Sequence, residues 1–296
     1  MHDLTDINDL SRADIETLYE LTDHMKRSPG EYTSVMAGKT LFMLFEKPST
    51  RTRLSFEAGM TKMGGHAIFL DMMHSQLGRG EPIADTAKVM SRYGEAIMAR
   101  LFDHDEMVEL ADNAAIPVIN GLTDFLHPCQ ALGDLYTLYE RDMLDTVAFV
   151  GDGNNNVTHS LMQACAKLGV SCRVATPEGM QPDRKIQNRV KDADVTILVD
   201  PYEAVAGASA VYTDVFVSMG EEEAREEILE ALEGYQVDAE LMAAAGEDAV
   251  FMHCLPAHRG VEVTAEVIDG PRSIVFDQAE NRLHVQNAVL HTVINR

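Results

Sequence analysis

The residues best suited to chemistry come in short clusters. Ser49, Thr50, Arg51, Thr52 and Arg53 stand in a row within FEKPSTRTRLSFEAG (45–59), where a buried strand is predicted to end and a helix to begin. Backbone N–H groups at a helix start point outward and carry partial positive charge. Hydroxyls add donors there, and a guanidinium adds a fork that matches phosphate. By residue type the junction is a phosphate cradle. The alternative is plain N-capping by Ser or Thr with solvated arginines. Two arginines so close together, in a chain with 48 acidic and 24 basic residues, favour the cradle.

FLHPCQ (125–130) is a second cluster. His127 precedes a proline and is biased towards an extended turn, from which it can donate to a carbonyl or phosphate oxygen; the alternative is a turn histidine bonded only locally. A zinc reading of His127, Cys129, His253 and Cys254 is weak, because H-x-C with an adjacent H-C is not a usual zinc pattern. VGDGNNN (150–156) falls between a predicted strand and helix. It lacks the last glycine of a dinucleotide turn, where Asn156 stands. Its asparagines suit the carboxylate or ammonium of an amino acid, or else a polar turn with helix capping. TDVFVSMGE (213–221) and HCLP (253–256) also follow apolar runs, and ligands of open α/β sheets bind at strand ends.

The elements that must position these clusters are legible as short apolar runs. They begin at Thr40, Ala67, Ala96, Ile116, Thr146, Ser171, Val195, Ala210, Asp248 and Ser273. TLFMLF (40–45) is apolar throughout, as a parallel strand buried on both faces requires. Helical patterns separate most of the runs; one of them, at Ile15, Leu18, Leu21 and Met25, follows a Ser11–Asp14 capping box. Alternation of this kind predicts an α/β fold, and about nine or ten strands predict two doubly wound domains with parallel sheets. A helix near CQALGDLYTLYERDML (129–144) is expected to join them. The last helix, 278–296, carries an expected stripe of Ala279, Leu283, Leu290 and Ile294 and is expected to pack back on the first domain. Domain bounds of 1–140 and 141–277 follow. The acidic run 220–234 reads as a solvated helix face.

Composition narrows the classes. The chain has 296 residues and a formal net charge of −24, with a sequence pI of about 4.7. Nucleic-acid binding is disfavoured, because a phosphate backbone requires a basic surface. The 8 lysines are outnumbered by 16 arginines. The acid excess, spread along the whole chain, favours adaptation to concentrated salt over an ordinary acidic enzyme. Four cysteines without a C-x-x-C spacing fit reduced thiols in a cytoplasm. An acidic N-terminus argues against a signal peptide, and no run of about 18 apolar residues is present to cross a membrane.

Taken in order, STRTR, Ser75–Gln76, HPCQ, GDGNNN, DVFVSMGE, HCLP and QAENRLH (278–284) give the whole chain its resemblance to the aspartate/ornithine carbamoyltransferase family. Within that family Gln76, where aspartate enzymes use a lysine, favours ornithine as the acceptor, as do the DVFVSMGE and HCLP segments. Phe216 stands where many relatives carry Trp. The resemblance implies two domains flanking a cleft, with carbamoyl phosphate and L-ornithine as substrates and L-citrulline and phosphate as products. It implies arginine metabolism in either direction, no metal or organic cofactor, and a homotrimer or a multiple of trimers.

Carried onto this chain, the resemblance gives Ser49, Thr50, Arg51 and Thr52 the phosphate. Gln76 comes from a neighbouring subunit's loop, and Arg100 bridges phosphate and carbonyl oxygen. His127, Pro128, Cys129 and Gln130 form the carbamoyl segment. Cys254 and Leu255 take the carbamoyl NH₂ through backbone carbonyls, and Arg282 approaches the phosphate side. Arg51, Arg100, His127 and Cys254 are the implied catalytic residues. Asn156, with Asn155 as the alternative, meets the ornithine carboxylate; Asp214 pairs with its α-ammonium, beside Ser218 and Met219. Two competing readings are a transcarbamoylase for N-acetylornithine or putrescine and a nonenzymatic amino-acid- or phosphate-binding regulator. Putrescine has no α-carboxylate for such a pocket to read.

Overall fold

The computed structural model describes residues 1–218 and 222–295. They divide into two compact units, Met1–Gly133 with Glu280–Arg296, and Asp134–Ala279.

The first unit holds β1 (Thr40–Phe45), β2 (His66–Asp71), β3 (Ala96–Arg100) and β4 (Val118–Leu122), with helices α1 (Arg12–Arg27), α2 (Thr50–Lys62), α3 (Ile83–Met90) and α4 (His104–Asn113) and the start of α5 (Pro128–Tyr139). All strand pairs are parallel, in the order β2-β1-β3-β4. Phe42 and Leu44 pack with Ile97, Ala99, Met107 and Leu110. The alternate residues Leu41, Met43 and Phe45 are buried too, so β1 is covered on both faces, as its unbroken apolar run requires. The α1 start is the expected capping box: Ser11 accepts from Asp14 N–H while Asp14 accepts from Ser11 N–H.

The second unit holds β5 (Thr146–Val150), β6 (Ser171–Ala175), β7 (Val195–Leu198), β8 (Ala210–Thr213) and β9 (Val250–His253), in the parallel order β7-β6-β5-β8-β9. Its helices are α6 (Asn156–Leu168), α7 (Arg184–Val190), α8 (Pro201–Val205), α9 (Arg225–Ala231), α10 (Ala239–Ala245) and α11 (Ala265–Ile268). Ala148, Val150, Val211 and Phe251 pack against residues of α8, α10 and α11. In the acidic run, residues 223–227 are exposed, as a solvated face should be. The final helix α12 (Val275–Ile294) starts in this unit and ends in the first.

Two sequence expectations are corrected. The run SIVF (273–276) is not a strand: Ser273 makes a single bridge to Phe251, and Val275 already opens α12. The expected stripe on α12 is also displaced. Leu290 is buried, but Ala279, Leu283 and Ile294 are only half-buried. The buried positions include Gln278, Asn281, Arg282, Gln286 and Asn287, polar residues that hydrophobic periodicity does not count. Among the described residues no helix is long and apolar enough to cross a membrane.

In each sheet the strand order reverses once, between β1 and β3 in the first unit and between β5 and β8 in the second. The loops leaving adjacent strands diverge at such a point and open a crevice at the carboxyl ends. The STRTR and GDGNNN segments and Asp214 follow strands at these points, while HPCQ and HCLP leave the next strands over, β4 and β9.

Candidate active site

In the first unit the loop after β1 delivers Ser49 to the N-cap of α2. Its φ of −157° and ψ of 121° are extended, and its hydroxyl accepts from Thr52 N–H at 3.2 Å. Ser49 therefore does cap the helix, while the other first-turn N–H groups lack intrahelical partners and remain directed outward. Thr52 is buried and Arg51 exposed. Among the described residues Arg51 has no hydrogen bond or ion pair. Arg53 is used differently: its guanidinium stacks 3.9 Å from the Phe69 ring centre and its Nε donates to Glu57 at 3.3 Å. The second arginine of the run thus braces α2 against β2.

Arg100 ends β3, buried, beside the reversal point. The segment after β4 delivers His127, whose carbonyl accepts the N–H groups of Gln130 and Ala131 and so opens α5. Pro128 takes the first helical position, where a missing N–H costs nothing. Burial, then the charges of Arg282 and Arg100, hold the His127 imidazolium well below the usual histidine range. The ring is therefore neutral at physiological pH. Arg282 Nη1, a donor only, lies 3.5 Å from His127 Nε2. His127 Nδ1 is buried, whereas Nε2 is the ring atom that faces Arg282.

Arg282 comes from α12. Its Nη1 donates to the Gln130 amide oxygen. It also lies against Gly133 of α5, where an added Cβ would stand 3.0 Å from Arg282 Cδ. Cys129 is turned inward: its thiol donates to the Asn120 carbonyl at 3.5 Å, and burial pushes its pKa up to about 11. Any part Cys129 plays in binding is therefore through its backbone. Gln76 is exposed in the loop after β2, its carbonyl accepting from Arg79 and Glu81 N–H.

In the second unit the turn after β5 separates the roles of its asparagines. Asn155 is the N-cap of α6: its Oδ1 accepts from Thr158 N–H and its Nδ2 donates to the Asp152 carbonyl, both at 2.8 Å. Asn156, half-buried, is the first helical residue. Asp214 follows β8, buried, and its Oδ1 accepts from Val215 N–H at 2.8 Å and from the Cys254 thiol at 2.9 Å. This places Cys254, at the end of β9, directly against Asp214. Leu255 has a left-handed φ of 59°, uncommon for a bulky side chain, and its N–H donates to His253 Nδ1 at 2.8 Å. Ser218 is half-buried, and Met219 lies outside the described residues.

Asp214, His253 and Cys254 bring one potential metal-ligand atom each to within 4.8 Å of one another. The thiol is engaged with Asp214, however, and His253 uses Nδ1 for Leu255 N–H and Nε2 for Glu262 at 3.3 Å. The four-residue zinc reading is not supported: Cys129, His253 and Cys254 are held by bonds within their own units.

Sequence reasoning missed the residues that tie these loops together. Lys47 is buried, ion-paired with Asp124 and 4.3 Å from the Phe102 ring centre, and Glu46 accepts from Phe102 N–H at 2.8 Å. The loops after β1, β3 and β4 are thereby lashed to one another. In the second unit, Asp134 accepts from Tyr212 at 2.9 Å and from Gln278 at 2.7 Å, and Gln278 in turn accepts from His253 N–H at 3.0 Å. The one available signal was the i, i+4 spacing of Gln278, Arg282 and Gln286 on α12.

Comparisons with known proteins match both units. Residues 2–140 match the family model described as the aspartate/ornithine carbamoyltransferase carbamoyl-P binding domain, and residues 145–293 its Asp/Orn binding domain. The chain is 67% identical, over all of both sequences, to the catabolic ornithine carbamoyltransferase of Halobacterium salinarum. The solved ornithine carbamoyltransferase of Pyrococcus furiosus is 48% identical at a TM-score of 0.94, covering 99% of this chain and 97% of that one. The corresponding Giardia lamblia enzyme is 35% identical at 0.90, with 99% and 98% covered. Matched in both domains and over its full length, the chain belongs to the aspartate/ornithine carbamoyltransferase family.

Proposed function

We propose that this chain transfers the carbamoyl group of carbamoyl phosphate to the δ-amine of L-ornithine, giving L-citrulline and phosphate. The observation that carries the reading is a meeting of charge at one sheet's carboxyl edge. The α2 start after β1, buried Arg100 at the end of β3, and neutral His127 beside Arg282 after β4 share the carboxyl edge of one sheet. In a chain of net charge −24, this concentrates positive potential where an anion would sit. Residues 1–140, with the 278–296 helix, form the carbamoyl-phosphate domain in this reading, and residues 141–277 the ornithine domain.

The chemistry follows from the groups present. The neutral δ-amine attacks the carbamoyl carbon, the C–N bond forms, and the carbonyl oxygen gains negative charge. Arg100, His127 and Thr52 are donors for that oxygen, preorganised because their side chains are held in buried positions. The C–O bond to phosphate then breaks, and phosphate leaves with the proton shed by the amine. Ser49, Thr50, Arg51 and Arg282 hold the phosphate, with Gln76 supplied by a neighbouring copy. His127, Gln130 and the Cys254 and Leu255 carbonyls hold the carbamoyl group. Asp214 pairs with the α-ammonium of ornithine, Asn156 meets its carboxylate, and Ser218 and Met219 complete that pocket. Much of the rate comes from holding two substrates in line.

The working form in this reading is a cytoplasmic, salt-adapted homotrimer or multiple of trimers serving arginine metabolism. The H. salinarum relative is named catabolic and a P. furiosus relative anabolic, and either direction uses the same site. The test is product formation with ornithine, N-acetylornithine and putrescine side by side. The reading requires citrulline from ornithine at the highest kcat/KM; preference for another amine, or no turnover of any, would overturn it.

A further inference from the structure

Gln286 is fully buried on α12, one helical turn beyond Arg282, and no sequence motif singles it out. The orientation of its amide that gives each polar atom a complementary partner turns the oxygen towards Arg282. The oxygen accepts from Nη2 at 2.9 Å and Nε at 3.3 Å. The nitrogen donates to the Arg282 carbonyl at 3.2 Å and to Ser55 Oγ at 2.5 Å. Ser55 lies one turn into α2, and its hydroxyl donates to the Thr52 carbonyl at 3.1 Å. A continuous hydrogen-bonded path thus runs from the Arg282 guanidinium through Gln286 and Ser55 to Thr52, in the first turn of the cradle helix.

We propose that Gln286 is a positioning residue that locks Arg282 to the start of α2, so that the guanidinium and the helix N–H groups present one rigid anion site. The inference rests on the functional reading above. Two features favour positioning over simple packing. An amide oxygen is aimed at two guanidinium N–H groups, which fixes the plane of the fork rather than only its place. Gln130 and Gln286 also grip Arg282 with neutral acceptors. A carboxylate in either place would orient the guanidinium equally well but cancel the charge that a phosphate requires.

The test compares Gln286→Leu, Gln286→Glu and Ser55→Ala with the parent enzyme, assembled and in concentrated salt. Gln286→Leu should raise KM for carbamoyl phosphate about tenfold, the loss of one charged hydrogen-bond set. KM for ornithine should move by less than about twofold, because that pocket is built from other residues. Gln286→Glu should weaken carbamoyl phosphate more than Gln286→Leu does, although its shape is closer to the native one. Ser55→Ala should shift the same constant by about threefold, and it decides by the same split if a Gln286 variant does not fold. Unchanged KM for carbamoyl phosphate, or a parallel rise in both constants, would overturn the proposal, and so would Gln286→Glu outperforming Gln286→Leu. Calorimetric binding of inorganic phosphate to the same variants separates the two ideas. A parent that makes no citrulline defeats the functional reading, and phosphate affinity that ignores Gln286 defeats this one.

Discussion

Arg51 and Arg53 show how two identical side chains, two positions apart, take different work. Arg53 is spent on Phe69 and Glu57, whereas Arg51 is exposed and unengaged among the described residues. Arg51→Ala should therefore leave the unfolding free energy within about 0.5 kcal/mol of the parent. It should lower turnover at least about a hundredfold, since charged contacts to a phosphate are worth several kcal/mol. Near-normal kcat/KM in a steady-state assay would remove Arg51 from the cradle. His127 carries a second consequence. Its folded pKa lies well below 6.5, because burial, Arg282 and Arg100 all oppose its charge. The unfolded chain binds a proton there more readily, so stability is unaffected above pH 6.5 and falls as pH drops below it. Urea unfolding across that window should show a smaller acid loss for His127→Gln than for the parent, and parallel losses would mean that His127 is not held neutral.

Among the elements, nine of the apolar runs became strands; β1, β3 and β5 are buried almost throughout, as strands covered on both faces require, whereas the edge strands β2 and β7 are only partly buried. SIVF did not, since three apolar residues after a serine suit a helix start as well as a strand. The polar face of α12 was illegible for a related reason. Periodicity counts hydrophobes, and here buried amides and an arginine line the packed face; Asn281 and Arg282 take partners distant in sequence, Lys26 and Gln130. The α6 start was half legible: the three asparagines announced a polar strand end, but their order along the helix cap had to come from the backbone. Asn155 caps α6 with both ends of its amide engaged, so Asn155→Ala should cost about 1–2 kcal/mol of stability. Asn156→Ala should cost less than that and raise KM for ornithine. Denaturation and kinetics on the pair check this, and the reverse pattern would exchange the two assignments.

At the scale of the whole molecule, charge dominates. With a net charge of −24, like-charged faces repel over about 10 Å at 0.1 M salt but only about 3 Å at 1 M. Activity and assembly should decline together as salt is withdrawn, followed by sedimentation and product assay in one series. Full activity and intact assembly in dilute buffer would contradict salt adaptation, and an active monomer would contradict a site that borrows Gln76. The central claim is carbamoyl transfer to ornithine through the α2 cradle. Its most direct test is a single-turnover reaction of carbamoyl phosphate, isotopically labelled at the carbonyl carbon, with ornithine in concentrated salt. The account predicts that the label appears in the ureido carbon of citrulline with one phosphate released per citrulline, and that Arg51→Ala abolishes both together. Phosphate release without labelled citrulline, or unimpaired transfer by Arg51→Ala, would contradict it.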